Sequence, residues 1–239
     1  MTTDNPAGRL YAILEKGNEI PKHLNTRETW YKILDVDNGR DALLMSRIGK
    51  VMELSEQIIT DMQTYFPRQV NSHQHWSSAV NQAFSEMNLN ESWKSFISHI
   101  DDHTMTYLSM AVDMLDTKEN IKNLSLDDLK KVRNKIDKIL QDIIKLDIDE
   151  SFKKDIVKYL RKILTAIDEY SITGIVPIME SIESTLGHAF IDENYKNNLM
   201  DTDIGKQVRL TLGLAADMIT VSLGLPQLTT IAQPFLLSE

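Results

Sequence analysis

The chain has 239 residues, 42% of them hydrophobic and 26% charged, with a formal net charge of −9 and no cysteine. That length suits one large domain or two small ones, and the composition is that of a chain that buries a sizeable core. Without cysteine there is no disulfide scaffold, thiol nucleophile or Cys-ligated zinc site, and the overall acidity argues against non-specific nucleic-acid binding, which relies on neutralising phosphates.

Met1 to Leu14 has no basic patch followed by an apolar run, so no secretory signal is read there and a cytoplasmic protein is expected. Asp4-Asn5-Pro6 opens the first helix with a capping side chain followed by proline. Leu10, Ile13 and Leu14 mark its apolar face, Gly17-Asn18 is read as its end, and Pro21 blocks continuation. Asn25-Thr26-Arg27-Glu28 has capping-box form and leads into a short helix with Trp30, Tyr31, Ile33 and Leu34. After the turn Asp37-Asn38-Gly39 comes a long helix, from about Arg40 to Phe66. Its seam is Leu44, Ile48, Val51, Ser55, Ile58, Met62 and Tyr65, in steps of four and three with only Ser55 polar. Pro67 ends it. Gln69 to Ser78, with His73, His75 and Trp76, reads as a loop before a shorter helix from Ala79 to Met87. Asn90 then caps a predicted helix from Glu91 to Leu115, striped by Trp93, Ile97, Ile100, Thr104, Tyr107, Ala111 and Met114. Asp116 to Asn123 is a charged connection.

Ser125 caps the clearest stretch of the chain. Leu129, Val132, Ile136, Ile139, Ile143 and Leu146 form one seam, and Phe152, Ile156, Leu160, Ile163, Ile167 and Tyr170 form a second, across the turn Asp147-Ile148-Asp149-Glu150. Two amphipathic helices, Leu126 to Leu146 and Ser151 to Tyr170, so closely joined are expected to lie antiparallel as a central hairpin. Thr117 to Tyr170 holds 13 Lys/Arg and 11 Asp/Glu, while the rest of the chain sums to −11. These charges are read as solvated outer faces; surface pairs of this kind contribute roughly 0.3–0.5 kcal/mol each, against about 1.5–3 kcal/mol for each large side chain buried in the seams. Ser171 to Gly174 reads as a hinge to a third helix, Ile175 to Ala189, with Pro177 in its first turn. Asp192 to Met200 is polar and is read as irregular or a short helix.

The last helix, from about Asp203 to Leu223, differs from the others. Leu210 to Leu225 is sixteen residues with one charge, Asp217, and apolar residues surround the helix rather than stripe it. A membrane span needs about twenty apolar residues, and a central Asp costs about 2.5–3.5 kcal/mol on insertion scales. The expectation is therefore a helix buried centrally among the others, with Asp217 meeting a polar partner and acting as a buried polar switch. The alternative is a membrane-acting effector that uses the apolar segment 210–237.

Few residues announce chemistry. His99 and His103 stand one helical turn apart beside Asp101 and Asp102, a spacing that can hold a metal, with His73 and His75 as further ligands. A metal-dependent enzyme on His99 and His103 is thus a second alternative. A nucleophilic serine with His103 or His188 is not singled out by anything around it. No Gly-x-Ser-x-Gly elbow or phosphate-binding glycine loop is present, and 9 glycines leave little material for one. No catalytic residue and no cofactor are assigned. For partner binding, Trp76 in the polar loop and Leu225, Phe235 and Leu236 in the apolar tail are the candidates, since exposed apolar side chains mark contact sites.

The run Leu146-x-Ile-Asp-x-x-Phe-Lys-x-x-Ile-x-x-Tyr-Leu-x-x-Ile, followed by Ile167-x-x-Tyr170-x-Ile172-x-Gly174, resembles a segment of uncharacterised bacterial all-helical accessory proteins, as does Asn5-Pro6-Ala7-Gly8-Arg9-Leu10. The resemblance covers about a third of the chain and carries no activity with it. It implies a bacterial accessory protein of the sort found with mobile elements, defence or toxin-immunity functions. The expected architecture is an all-α bundle of about eight to ten helices, with an N-terminal lobe over 1–116 and a C-terminal lobe over 117–239. The expected function is a non-enzymatic interaction or assembly module whose partner is another protein or a second copy.

Overall fold

The computed structural model describes residues 4–69, 73–118 and 121–224. Among them it is all-helical, with twelve α-helices, two short 3-10 turns and no strand beyond one isolated antiparallel bridge, Asn25 to Ser92. The count exceeds the expected eight to ten because one predicted helix is broken in two and because the Ser171–Gly174 hinge and the Asp192–Met200 stretch each contain a helix. The chain divides into two compact units, one ending at Asn120 and one beginning at Ile121.

In the N-terminal unit, α1 (Pro6–Glu19) starts where the Asn5 side chain accepts from the Gly8 amide at 2.8 Å. It does not stop at Gly17. That glycine lies within the helix, and its carbonyl accepts from the indole Nε1 of Trp93 at 2.8 Å. A Cβ at Gly17 would stand 3.0 Å from the Trp93 ring, so the residue makes room for a close approach rather than ending a helix. α2 (Thr26–Ile33) is capped by Asn25, which accepts from the Glu28 amide. Its far end is closed by buried Arg47 of α3 (Asp41–Tyr65), whose Nη1 donates to the carbonyls of Leu34 and Asp35. The α3 seam is buried from Leu44 to Met62.

α4 (Gln74–Glu86) begins inside the predicted loop and packs on α3 and on the later helix α6 (Asp102–Asp116). The predicted 91–115 helix is two: α5 (Lys94–Ile97) and α6 (Asp102–Asp116). The break is the work of Asp101. Its backbone is extended (φ −89°, ψ 173°), and its carboxylate accepts from both the amide and the hydroxyl of Thr104 at 2.7 Å. A side chain that satisfies the free amides of a new helix competes with continuation of the old one. The stretch ahead of α5 instead ties back to the residues before α2, with the Trp93 amide donating to Leu24 O and the Thr26 amide to Glu91 O. Trp30 sits at the centre of the resulting aromatic cluster, with ring centroids 5.0 Å from Phe96, 5.2 Å from Trp93 and 5.9 Å from Phe84.

The Thr104 hydroxyl and amide, with a smaller contribution from His75, hold the Asp101 carboxyl at about 2, below its ordinary 3.8. A depressed folded-state value stabilises the fold fully above the ordinary value and is lost as pH falls through the folded one. Asp101→Ala is therefore expected to cost about 1 kcal/mol at neutral pH, as loss of an N-cap does. Acid titrations of both proteins followed by circular dichroism check it: the difference should shrink between pH 4 and pH 2, and a gap that persists unchanged below pH 2 would assign it to another cause.

In the C-terminal unit, α7 (Leu126–Lys145) and α8 (Glu150–Asp168) bury their Leu/Ile/Val/Phe seams in one core and pack against each other. Leu146, expected in the seam, is 42% exposed because it follows the last turn of α7 in extended conformation. Asp149 caps α8 by accepting from the Phe152 amide at 2.8 Å. α9 (Tyr170–Thr173) ends at Gly174, whose φ of +74° is open to glycine, and Pro177 lies in the first turn of α10 (Val176–Gly187). The chain then makes a 3-10 turn, His188–Phe190, and enters α11 (Glu193–Asp201) and α12 (Asp203–Ser222).

α12 is not buried centrally. Ile204, Val208, Thr211, Leu212, Ala215 and Ile219 face the core, in helical steps of three and four, and α12 packs on α7, α10 and α11. Leu210, Leu214 and Val221 point outward, 66%, 40% and 59% exposed. At the α11–α12 corner, Arg209 donates to the carbonyls of Leu199 and Met200, and Gly205 lies against the carbonyls of Asn198 and Leu199. Among the described residues no helix is long and apolar enough to cross a membrane.

Candidate functional site

The structure separates the histidine pair. With the helix broken at Asp101, His99 follows α5 and faces Glu86 at 3.3 Å, while His103 lies in the first turn of α6 against His75, ring centroids 6.1 Å apart. Spacing of four places two side chains on one face only within one continuous helix, and the Asp101 cap removes that condition. His75 instead meets the Asp101 carboxylate at 3.4 Å. Trp76 is 1% exposed on α4, so it belongs to the core and not to a surface loop; Trp30 and Trp93 are fully buried too. Leu225, Phe235 and Leu236, with the rest of 225–237, lie outside the described residues.

Asp217 is half-buried on α12, and its Oδ1 is shielded from solvent with no hydrogen-bond partner. Among the described residues no hydrogen-bond partner faces that oxygen. Asp217 lines an open groove of about 660 Å³ between α7 and α12, in the volume range of ligand-binding clefts. Leu214, Met218 and Val221 of α12 and Val132 of α7 supply the apolar lining, and Lys131 and Lys135 of α7 with Lys122 supply cationic groups. Lys131 is shared with Asp128, one turn away at 2.7 Å.

A second constellation lies where α8 meets the 3-10 turn and the start of α11. The Nε2 of His188, in the 3-10 turn, stands 3.6 Å from Asp155 Oδ2 on α8 and 3.8 Å from Asp192 Oδ2 at the start of α11. Among the described residues these three form the group of His and Asp side chains whose ligand atoms converge, all within 4.8 Å of one another. Local structure sets each of them. Asp192 is the N-cap of α11, and its Oδ1 accepts from the Tyr195 amide at 2.8 Å, which leaves Oδ2 toward His188. The His188 ring is held between Tyr195 and Tyr159, at centroid distances of 4.8 Å and 5.3 Å. Tyr195 turns its hydroxyl away to Thr185 O, and burial pushes that phenol well above its usual range, with Tyr159 and Asp155 adding to the effect. It is a neutral wall of the site. No protein-family model, curated protein or solved structure matches this chain.

Two of the three members of this second cluster, His188 and Asp192, stand four residues apart in the sequence. Asp155 comes from α8, and only the packing of α8 on α10 and α11 brings it in. The groove has no linear motif at all; its trace is the apolar residues of α12 that do not fit a single stripe.

Proposed function

We propose that the chain is a non-enzymatic interaction module whose α7–α12 groove holds an amphipathic helix of a partner protein, one with an acidic flank. In this reading α7 and α8 form an antiparallel hairpin that scaffolds the groove. The observation that carries it is the exposed apolar pair Leu214 and Val221 of α12, which lines the groove together with the lysines of α7. Residues at such spacing are what a helix-in-groove contact uses: apolar anchors on one face and charge along the flank. Three lysines against two carboxylates, Asp128 and Asp217, favour an acidic flank over a basic one. The unpartnered Asp217 oxygen suits a hydroxyl or amide donor on the occupant. The resemblance to bacterial accessory proteins favours a partner from the same defence or toxin-immunity setting.

Fluorescence anisotropy with labelled amphipathic helical peptides of equal apolar content, flanked by glutamate or by lysine, tests the proposal. The glutamate-flanked peptide is expected to bind, and the lysine-flanked one to bind less. Leu214→Glu and Val221→Glu should each weaken binding at least about tenfold, since one large apolar contact is worth about 1.5–3 kcal/mol. Circular dichroism should be unchanged, because both positions are exposed. Binding that ignores both substitutions, or flotation with lipid vesicles in place of peptide binding, would overturn the reading.

A further inference from the structure

We propose that Asp155, His188 and Asp192 form a binding site for one divalent transition-metal cation of the zinc type. The site lies apart from the α7–α12 groove and does not depend on it. The alternative, a histidine that hydrogen-bonds its two aspartates, fits the distances poorly. Nε2 is 3.6 Å and 3.8 Å from the carboxylate oxygens, beyond the 2.7–3.2 Å of an N–H···O bond, and it is shielded from solvent with no hydrogen-bond partner among the described residues. Those separations fit donors that face each other across an ion. Zinc lies about 2.0–2.2 Å from imidazole nitrogen and carboxylate oxygen, which places tetrahedral ligands about 3.3 Å apart. Side-chain rotation then closes the two His188–Asp edges by about half an ångström or less, and the Asp155–Asp192 edge, which lies within 4.8 Å, by up to about 1.5 Å.

The donor set selects the metal class. One imidazole with two carboxylates suits Zn²⁺, Co²⁺, Ni²⁺ or Mn²⁺, whereas Ca²⁺ and Mg²⁺ take oxygen ligands. Two carboxylates balance the charge of a divalent ion. The surroundings orient the ligands before the ion arrives. The α11 cap fixes Asp192, the two tyrosine rings fix the plane of His188, and Asp155 is anchored in the second turn of α8. Supporting contacts of this kind are what metal ligands require of their surroundings. Three protein donors leave the fourth position to water or to a group from a bound partner.

The full, untagged chain, stripped with a chelator and dialysed, is titrated with ZnCl₂ by calorimetry and with CoCl₂ by visible absorption. One equivalent of each is expected to bind, with Co²⁺ giving the intense d–d bands of a tetrahedral site. His188→Ala and Asp155→Asn should each weaken uptake at least tenfold. Asp192→Asn should do the same while keeping the α11 cap, because asparagine caps as well as aspartate does. His103→Ala, at the exposed histidines of the N-terminal unit, should leave uptake unchanged. Thermal unfolding of each variant without metal establishes that it is folded. No stoichiometric uptake, or uptake that survives Asp192→Asn and Asp155→Asn and falls with His103→Ala, would overturn the proposal.

Discussion

Trp93→Ala is expected to destabilise the N-terminal unit by about 3–5 kcal/mol, the usual range for truncating a buried tryptophan. The residue has no exposed surface, stacks on Phe96 at 4.8 Å, meets Trp30 edge-on and donates its indole N–H to Gly17 O on α1. Deleting it leaves a cavity bounded by α1, α2 and the α5 turn, and the backbone hydrogen bonds that tie the α5 region to the segment before α2 limit how far it can collapse. Trp93→Phe should recover most of the apolar contribution but not the bond to Gly17. Urea unfolding of the three proteins, followed by circular dichroism, measures the order. A loss below about 1 kcal/mol for Trp93→Ala would mean that the aromatic cluster is not the core of this unit.

Gly205→Ala is expected to destabilise by about 2–3 kcal/mol, against the sign that helix propensity alone predicts. Within a helix, alanine is favoured over glycine by about 1 kcal/mol. At position 205 the added Cβ would stand 2.5 Å from Asn198 O and nearer still to Leu199 O. Both are backbone atoms at the end of α11, and neither is free to retreat. Thr202 donates its hydroxyl to Asn198 O, and Arg209 donates to Leu199 O. The α11–α12 corner must open for a methyl group to enter. Gly213 on the same helix is the control, with nothing within 4 Å of an added Cβ, so Gly213→Ala should be neutral or stabilising by up to about 1 kcal/mol. Thermal and urea unfolding of the two variants should move in opposite directions. A stabilising Gly205→Ala would rule out the tight corner.

The parts of the fold legible in the sequence are those where one periodicity acts alone. The seams of α3, α7 and α8 are written in steps of three and four, and residues such as Val132, Ile136 and Ile156 are buried where the pattern puts them. The local pattern misleads where a long-range contact overrides it. Gly17 has the form of a helix stop, but its role is set by Trp93, distant in sequence. The apolar steps Ile97, Ile100 and Thr104 run through Asp101, and the steps alone do not show that its carboxylate caps a new helix. The false continuity of that helix also made His99 and His103 into neighbours. On α12, apolar residues on the outward face mask the inward stripe, so a groove edge has the same sequence pattern as a central helix. In the His188 cluster only the His188–Asp192 pair is close in sequence, and Asp155 arrives by tertiary packing.

The placement of the three tryptophans has an optical consequence. Trp30, Trp76 and Trp93 all belong to the unit that ends at Asn120, and the unit that begins at Ile121 has none. Indole emission therefore follows the loss of one core only, while far-ultraviolet ellipticity follows the helices of both. Where the two signals change together along a denaturant series, the units unfold as a single cooperative system; where emission moves first or last, each has its own midpoint. The chain thus carries a built-in probe that assigns any unfolding step, or any stabilisation by peptide or metal, to one half of the molecule without a label.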